Sequence, residues 1–209
     1  MAVICPTVTA FTEHDYKEQL LRLKPFANHI HIDLMDGRFA PTVSPGLDHI
    51  WWPPELTVDI HLMYQEPMAA LNDLLRLKPR MVIVHNEAQV HHMHFCGELH
   101  KAGIMTGLAL LPETPVAYCE QIMHSFDQVL IFSGNLGHHG GKVNFDLLEK
   151  AAQIRLHHPD VEIAWDGGIT ADNAAQLVAG GIEVLNVGGF IQNSADPEAA
   201  YAKLIAVIK

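Results

Sequence analysis

His29-Ile30-His31-Ile32-Asp33-Leu34-Met35-Asp36-Gly37 is the stretch on which the fold reading turns. Polar and aliphatic residues alternate through six positions, Met35 follows, and an aspartate and a glycine then end the run. Side chains two apart in a strand point the same way, so His31, Asp33 and Met35 share one face while Ile32 and Leu34 take the other. The aliphatic face suits packing under helices. The polar face leaves a histidine and a carboxylate at the strand's C-terminal end, where burial demands a partner.

Working outward, further strand-like runs fall at 3–5, 57–63, 81–85, 104–110, 128–133, 161–165 and 183–187, making eight with 29–35. Segments with helical periodicity lie between them, such as 67–77, 145–156 and 197–208, and Pro25, Pro79, Gly103, Gly180 and Gly181 punctuate the returns. Strict alternation implies a parallel sheet. Eight strands in 209 residues predict an α/β fold, a closed (β/α)8 TIM barrel forming one domain over 1–209. An open doubly wound sheet is the runner-up. Its usual phosphate signature is missing, because Cys5 is followed by Pro6, Thr7, Val8 and Thr9. The Trp51-Trp52-Pro53-Pro54 segment after the second strand reads as an abbreviated helix packed on the barrel.

Thirteen basic against 24 acidic residues give a formal charge of −11, which argues against nucleic acid or a membrane surface as partner. No apolar run approaches a membrane span and no basic segment precedes the apolar N-terminus, so a cytoplasmic location is expected. Cys5, Cys96 and Cys119 are odd in number and lack CxxC spacing, as reduced thiols would be. Most of the 15 histidines read as solvated surface groups. His138 and His139 sit in a glycine-rich loop after the sixth strand and are the exception.

The third strand repeats the design of the second, with Asp59, His61 and Met63 on one face, and the seventh ends in Asp166-Gly167-Gly168. In a barrel that rim carries the active site. The imidazoles of His31 and His61 and the carboxylates of Asp33 and Asp166 make a candidate site for one divalent ion, with mixed ligands suited to Zn, Fe, Co or Mn. Separate buried polar groups satisfied by hydrogen bonds are the alternative reading. An anionic substrate has no obvious cation to meet. The pairs Gly140–Gly141, Gly167–Gly168 (before a helix expected near Ala171) and Gly188–Gly189 could offer backbone N–H groups instead, though each pair also suits a plain turn.

Taken together, His31-Ile-Asp33-Leu-Met-Asp36-Gly37-Arg-Phe39-Ala-Pro41, Asp59-Ile-His61-Leu-Met63, His85-Asn-Glu87-Ala88, Asp166-Gly-Gly-Ile169 and the glycine loop resemble the ribulose-phosphate 3-epimerase family. The resemblance implies a metal held by His31, Asp33, His61 and Asp166, with Asp33 and Asp166 also acting as catalytic acid and base. It further implies substrate contacts from Thr7, Met35, Met63, His85 and the three glycine pairs. Epimerising C3 of a ketose phosphate means removing a proton beside a carbonyl and returning one to the opposite face. A Lewis acid brings that carbon acid within reach of a carboxylate. In a closed barrel the second and seventh strands are three steps apart through the first and eighth, so the two aspartates can approach from different sides.

The chain departs from the family pattern at Thr7, Thr42, Phe132, Gly189 and the loop Asn135–Lys142, which is one residue longer. The expectation is a 3-epimerase interconverting D-ribulose 5-phosphate and D-xylulose 5-phosphate, in the pentose phosphate pathway of carbohydrate metabolism, as a homo-oligomer. The alternatives are the same reaction on another ketose phosphate such as allulose 6-phosphate, or a noncatalytic sugar-phosphate-binding barrel. A lyase or decarboxylase would want a lysine between Asp33 and Asp36, where Leu34 and Met35 stand. A metal-storage protein would hold several weakly bound ions.

Overall fold

The computed structural model describes residues 2–209. Strands β1 (Val3–Thr9), β2 (His29–Met35), β3 (Thr57–Met63), β4 (Met81–His85), β5 (Met105–Leu110), β6 (Gln128–Phe132), β7 (Glu162–Asp166) and β8 (Val184–Val187) pair in parallel in chain order. β8 closes on β1, so the sheet is the expected eight-stranded TIM barrel. The strands read from the pattern match these within a residue at either end, save β1. That strand runs past Pro6 to Thr9, because proline keeps an extended φ and removes only one ladder donor. Thr7 and Thr9 thereby pair with His31 and Asp33 of β2.

The helices are α1 (Glu13–Leu23), α2 (Leu71–Leu77), α3 (His92–Lys101), α4 (Glu120–Met123), α5 (Leu148–His157), α6 (Ala174–Ala179), α7 (Gly189–Gln192) and α8 (Pro197–Val207). Side-chain caps fix the starts of α1, α3 and α8. The Thr12 hydroxyl accepts from the Asp15 N–H at the start of α1, and the Asp196 carboxylate accepts from the Ala199 N–H, with Pro197 in the first turn of α8. Two expectations are corrected. α6 begins at Ala174, three residues beyond Ala171, because Asn173 turns its side chain back to accept from the Thr170 N–H. The segment carrying Trp51 and Trp52 forms no helix, since Pro41, Pro45, Pro53 and Pro54 remove the donors one would need. It is instead tied to α1 by the Tyr16 hydroxyl donating to the Trp51 carbonyl at 2.6 Å, while Trp52 packs on the core.

Two apolar layers hold the barrel. The outer one seats strand residues such as Ile32, Leu34, Ile60, Leu62 and Trp165 against helix residues such as Leu20 and Phe95, all fully buried. The lumen is plugged by Cys5, Met81, Ile83, Ala109, Leu130, Ala164 and Val184. Among these the small residues make room for the large, and Gly107 leaves the space that Ile83 fills, since a Cβ there would lie 2.7 Å from Ile83 Cγ1.

The plug separates the two ends of the barrel. Asp59 shares its strand face with His61, as the alternation requires, but lies at the N-terminal end. Its carboxylate accepts from Arg80 Nε at 2.7 Å and Arg80 Nη2 at 2.5 Å, and stands 2.7 Å from His29 Nε2. These partners, set against burial, keep the carboxyl below its ordinary range. Asp59 is thus consumed in closing the floor. Arg80→Met would leave that buried carboxylate half-paired and should cost roughly 3–5 kcal/mol in urea denaturation; a loss under about 1 kcal/mol would contradict this account of the floor.

Candidate active site

At the opposite rim, β2, β3 and β7 bring His31, Asp33, His61 and Asp166 together. One ligand atom from each lies within 4.8 Å of the others, and all four residues are buried. His61 Nδ1 is 3.0 Å from Asp33 Oδ1 and 3.6 Å from Asp166 Oδ2, and His31 Nε2 is 3.3 Å and 3.8 Å from the same two oxygens. Neither nitrogen of His31 has an aligned hydrogen-bond partner. An imidazole fully buried with both nitrogens orphaned carries a desolvation cost that a ligand must offset. Its distances to both carboxylates suit an atom aimed at a shared centre. Two imidazole nitrogens and two carboxylate oxygens in this arrangement fit a divalent transition ion.

The electrostatics agree. Burial raises the proton affinity of Asp33, but the close approach and positive charge of His31 and His61 outweigh it and hold the carboxyl well below the usual range. Burial drives His61 down, and its hydrogen bonds and charge interactions with Asp166 and Asp33 win, bringing it to about 9. A pair of buried carboxylates strong enough to keep an imidazole protonated is a cluster that seeks cations.

Behind the cluster, buried groups fix its orientation. His61 Nε2 lies 2.9 Å from His85 Nε2, and His85 Nδ1 lies 3.4 Å from Glu87 Oε2. The Glu87 carboxylate accepts from the Thr114 hydroxyl and the Leu111 N–H. Burial, with the charge of His61, overcomes the pull of Glu87 and lowers His85 to about 4, so His85 is neutral. One tautomer set satisfies the chain. His85 carries its proton on Nδ1 toward Glu87 and accepts from His61 Nε2–H, so His61 Nδ1 faces Asp33 and Asp166, where an ion would take the place of its proton. On the other side the Thr9 hydroxyl donates to Asp33 Oδ2 at 2.7 Å.

Above the cluster is a small cleft of about 200 Å³ lined by Thr7, Thr9, Asp33, Met63, Phe132 and Asp166 below and by glycine-rich loops above. That volume suits a small metabolite rather than a peptide. No Lys or Arg lines it among the described residues, whereas eight glycines do, including all six read from the sequence, together with His138 and His139. Met35 and His85 are brought to the rim but do not line the cleft. Met35 packs with Met63, Ala40, Phe39 and Leu136 and accepts from the Thr42 hydroxyl through sulfur, and His85 stands behind His61. Six lining residues went unread in the sequence: Thr9, Gly134, Thr170, Asn186, Phe190 and Asn193. Thr9 and Asn186 had a visible signal, each being polar at an inward position of a strand.

The loop glycines do two jobs. Gly140, Gly141, Gly167 and Gly168 all have positive φ, the left-handed backbone from which anion-binding nests of N–H groups are built. Gly167 and Gly168 also let two loops touch backbone to backbone, since a Cβ on Gly167 would lie 2.1 Å from the Gly134 nitrogen and one on Gly168 2.4 Å from the Val143 nitrogen.

The model of the ribulose-phosphate 3 epimerase family matches residues 3–192. The chain belongs to that family. It is 31% identical over 191 residues to the chloroplastic ribulose-5-phosphate-3-epimerase of Arabidopsis thaliana, covering 86% of this chain and 66% of that protein. It is 29% identical over 212 residues to the ribulose-phosphate 3-epimerase of Aquifex aeolicus, covering 98% and 96%. Family membership makes the chain an enzyme of the isomerase class. Among solved structures, a 3-hexulose-6-phosphate synthase from Salmonella typhimurium superposes with a TM-score of 0.72 at 14% identity, covering 98% of this chain and 97% of that one, a likeness of fold.

The loop contact gives a test that needs no substrate. Gly181 has φ +94° and nothing within 4 Å of its would-be Cβ, so Gly181→Ala should cost only the backbone strain, about 1–3 kcal/mol. Gly167→Ala should cost roughly a further 1–3 kcal/mol for displacing the neighbouring loop. Equal losses by denaturant titration would refute the backbone contact.

Proposed function

We propose that the chain is a divalent-metal-dependent 3-epimerase of a ketose phosphate, with the D-ribulose 5-phosphate and D-xylulose 5-phosphate pair as the first candidate. The observation that carries this is the convergence of His31, Asp33, His61 and Asp166 beneath a cleft whose upper wall is glycine backbone. His31 Nε2, His61 Nδ1 and one oxygen of each aspartate would hold a Zn, Fe, Co or Mn ion. Such an ion supplies Lewis-acid stabilisation of the charge that develops on the ketone oxygen when C3 loses its proton.

The chain's own residues do the rest. Asp33 and Asp166 come from strands three steps apart around the barrel, on either side of the cleft. Asp33, held ionised, takes the C3 proton from one face, and Asp166 returns a proton to the other; the reverse reaction exchanges the roles. Thr9 leaves Asp33 one oxygen committed and the other turned to the cluster. Met63 and Phe132 give that side of the cleft a surface with no proton to donate, which protects the enediolate from stray protonation. Phosphate meets N–H groups of Gly140, Gly141, Gly167, Gly168, Gly188 and Gly189 in place of a lysine. The absence of Lys from the described cleft lining disfavours the lyase and decarboxylase reading. The polar trim of Thr7, Thr9 and Thr42 and the longer Asn135–Lys142 loop favour testing other ketose phosphates, allulose 6-phosphate among them. A panel of ketose phosphates in deuterated water, with C3 exchange and epimer formation followed by NMR, tests the reading. C3 exchange in none of them would overturn it.

Two outcomes follow for the cluster. The purified protein should bind about one divalent ion per chain, and Glu87→Gln, which weakens the orientation of His85 and through it His61, should lower metal affinity roughly 10- to 100-fold in competition with a chelator; unchanged affinity would remove Glu87 from the account. Asp33→Asn and Asp166→Asn, each assayed at measured metal content, should lower epimerisation roughly 100- to 10,000-fold. A fully metallated variant working at the parental rate would show that its aspartate moves no proton.

A further inference from the structure

Asn186 is a polar residue in the middle of β8, between Leu185 and Val187, and it faces the lumen as Val184 does. It is 3% exposed, and its Nδ2 is buried without any hydrogen-bond partner. One strand away, Thr7 is 2% exposed and its hydroxyl is orphaned in the same way. Both residues line the cleft. An unmet carboxamide donor in a barrel interior costs stability that a valine or leucine would not, so its retention calls for a ligand that completes it.

Its position says which part of a ligand that is. Asn186 pairs in register with Asp166 of β7, and two residues further along the same strand, about 6.6 Å on, the chain reaches Gly188. A ketose phosphate whose C3 lies at Asp33 and Asp166 and whose phosphate lies at the glycine loops must pass over β8 between the two. Resting on the function proposed above, we infer that Asn186 is a specificity-determining residue. Its carboxamide hydrogen-bonds the hydroxyl on C4, the carbon next to the reacting one on the phosphate side, with the Thr7 hydroxyl beside it. The enzyme would then select ketose phosphates that carry this hydroxyl, whatever the chain length beyond it.

The test compares the parent with Asn186→Leu, a near-isosteric change that removes the amide. Two ligands are used: a pentitol 5-phosphate, which lacks the carbonyl and cannot react, and its 4-deoxy counterpart. Calorimetry on the metal-loaded parent should give roughly 10- to 100-fold tighter binding of the hydroxylated ligand. In Asn186→Leu that preference should fall to within about threefold, because only the hydroxylated ligand loses a partner. The ligand-free variant should also melt no lower than the parent, since an unsatisfied donor is gone, whereas a merely structural asparagine would lower the melting temperature. A parent that binds the two alike, or a variant that keeps the full preference, overturns the inference. Should Asn186→Leu not fold, Asn186→Ala carries the same comparison, and a full C4 preference in that variant overturns the inference. Failure of the family reaction is separately visible, as absence of C3 exchange in every ketose phosphate even where the C4 preference in binding stands.

Discussion

Two carboxylates and two imidazoles buried within 4.8 Å of one another are the constraint from which the rest of the rim follows. Left to itself, such a cluster would be costly, because each charge loses its water. The barrel offsets part of that cost with fixed partners, Thr9 for Asp33 and His85 for His61, with Glu87 behind His85. His31 has no aligned hydrogen-bond partner, and Asp166 meets only the two imidazoles of the cluster. The cluster is therefore complete in charge and incomplete in coordination, a combination that suits a cation bound at its centre better than a static polar core.

The barrel keeps its two charged ends apart. Asp59, on the same face of β3 as His61, is closed off by Arg80 and His29 beneath a lumen filled with aliphatic side chains. One end spends its ion pair on stability, with both oxygens of Asp59 met. The other leaves donors and acceptors unmet around an open cleft, which is the usual exchange of stability for function at the C-terminal face of this fold. The loops over the cleft are held by the same economy of contact: glycine backbone against glycine backbone, and Leu136 against Met35 and Met63.

Much of this was legible in the sequence, and for definite reasons. The bounds of β2 and β3 follow from their period-two pattern and those of β4 from a short apolar run, each bracketed by turn residues. His31, Asp33, His61 and Asp166 could be placed at one rim from strand direction alone. Other features depend on tertiary context. That β1 continues past Pro6 is decided by pairing with β2, whereas the missing helix after β2 follows from Pro41, Pro45, Pro53 and Pro54, which stand close together in the sequence itself. Met35 falls on the expected face yet is covered by Thr42, from the loop just after its own strand, and by Leu136, which lies far away in sequence. Asn186 escaped notice because one polar residue in an apolar strand reads as noise until its neighbours are known to leave it unpaired.

In the function proposed above, one ion and two opposed carboxylates share a single substrate carbon. A crystal structure of the metal-loaded protein with a pentitol 5-phosphate bound tests it directly. The predicted result is one ion ligated by His31, Asp33, His61 and Asp166, with free carboxylate oxygens of Asp33 and Asp166 approaching C3 from opposite faces. An ion held elsewhere, or both carboxylates on one face of C3, would contradict it.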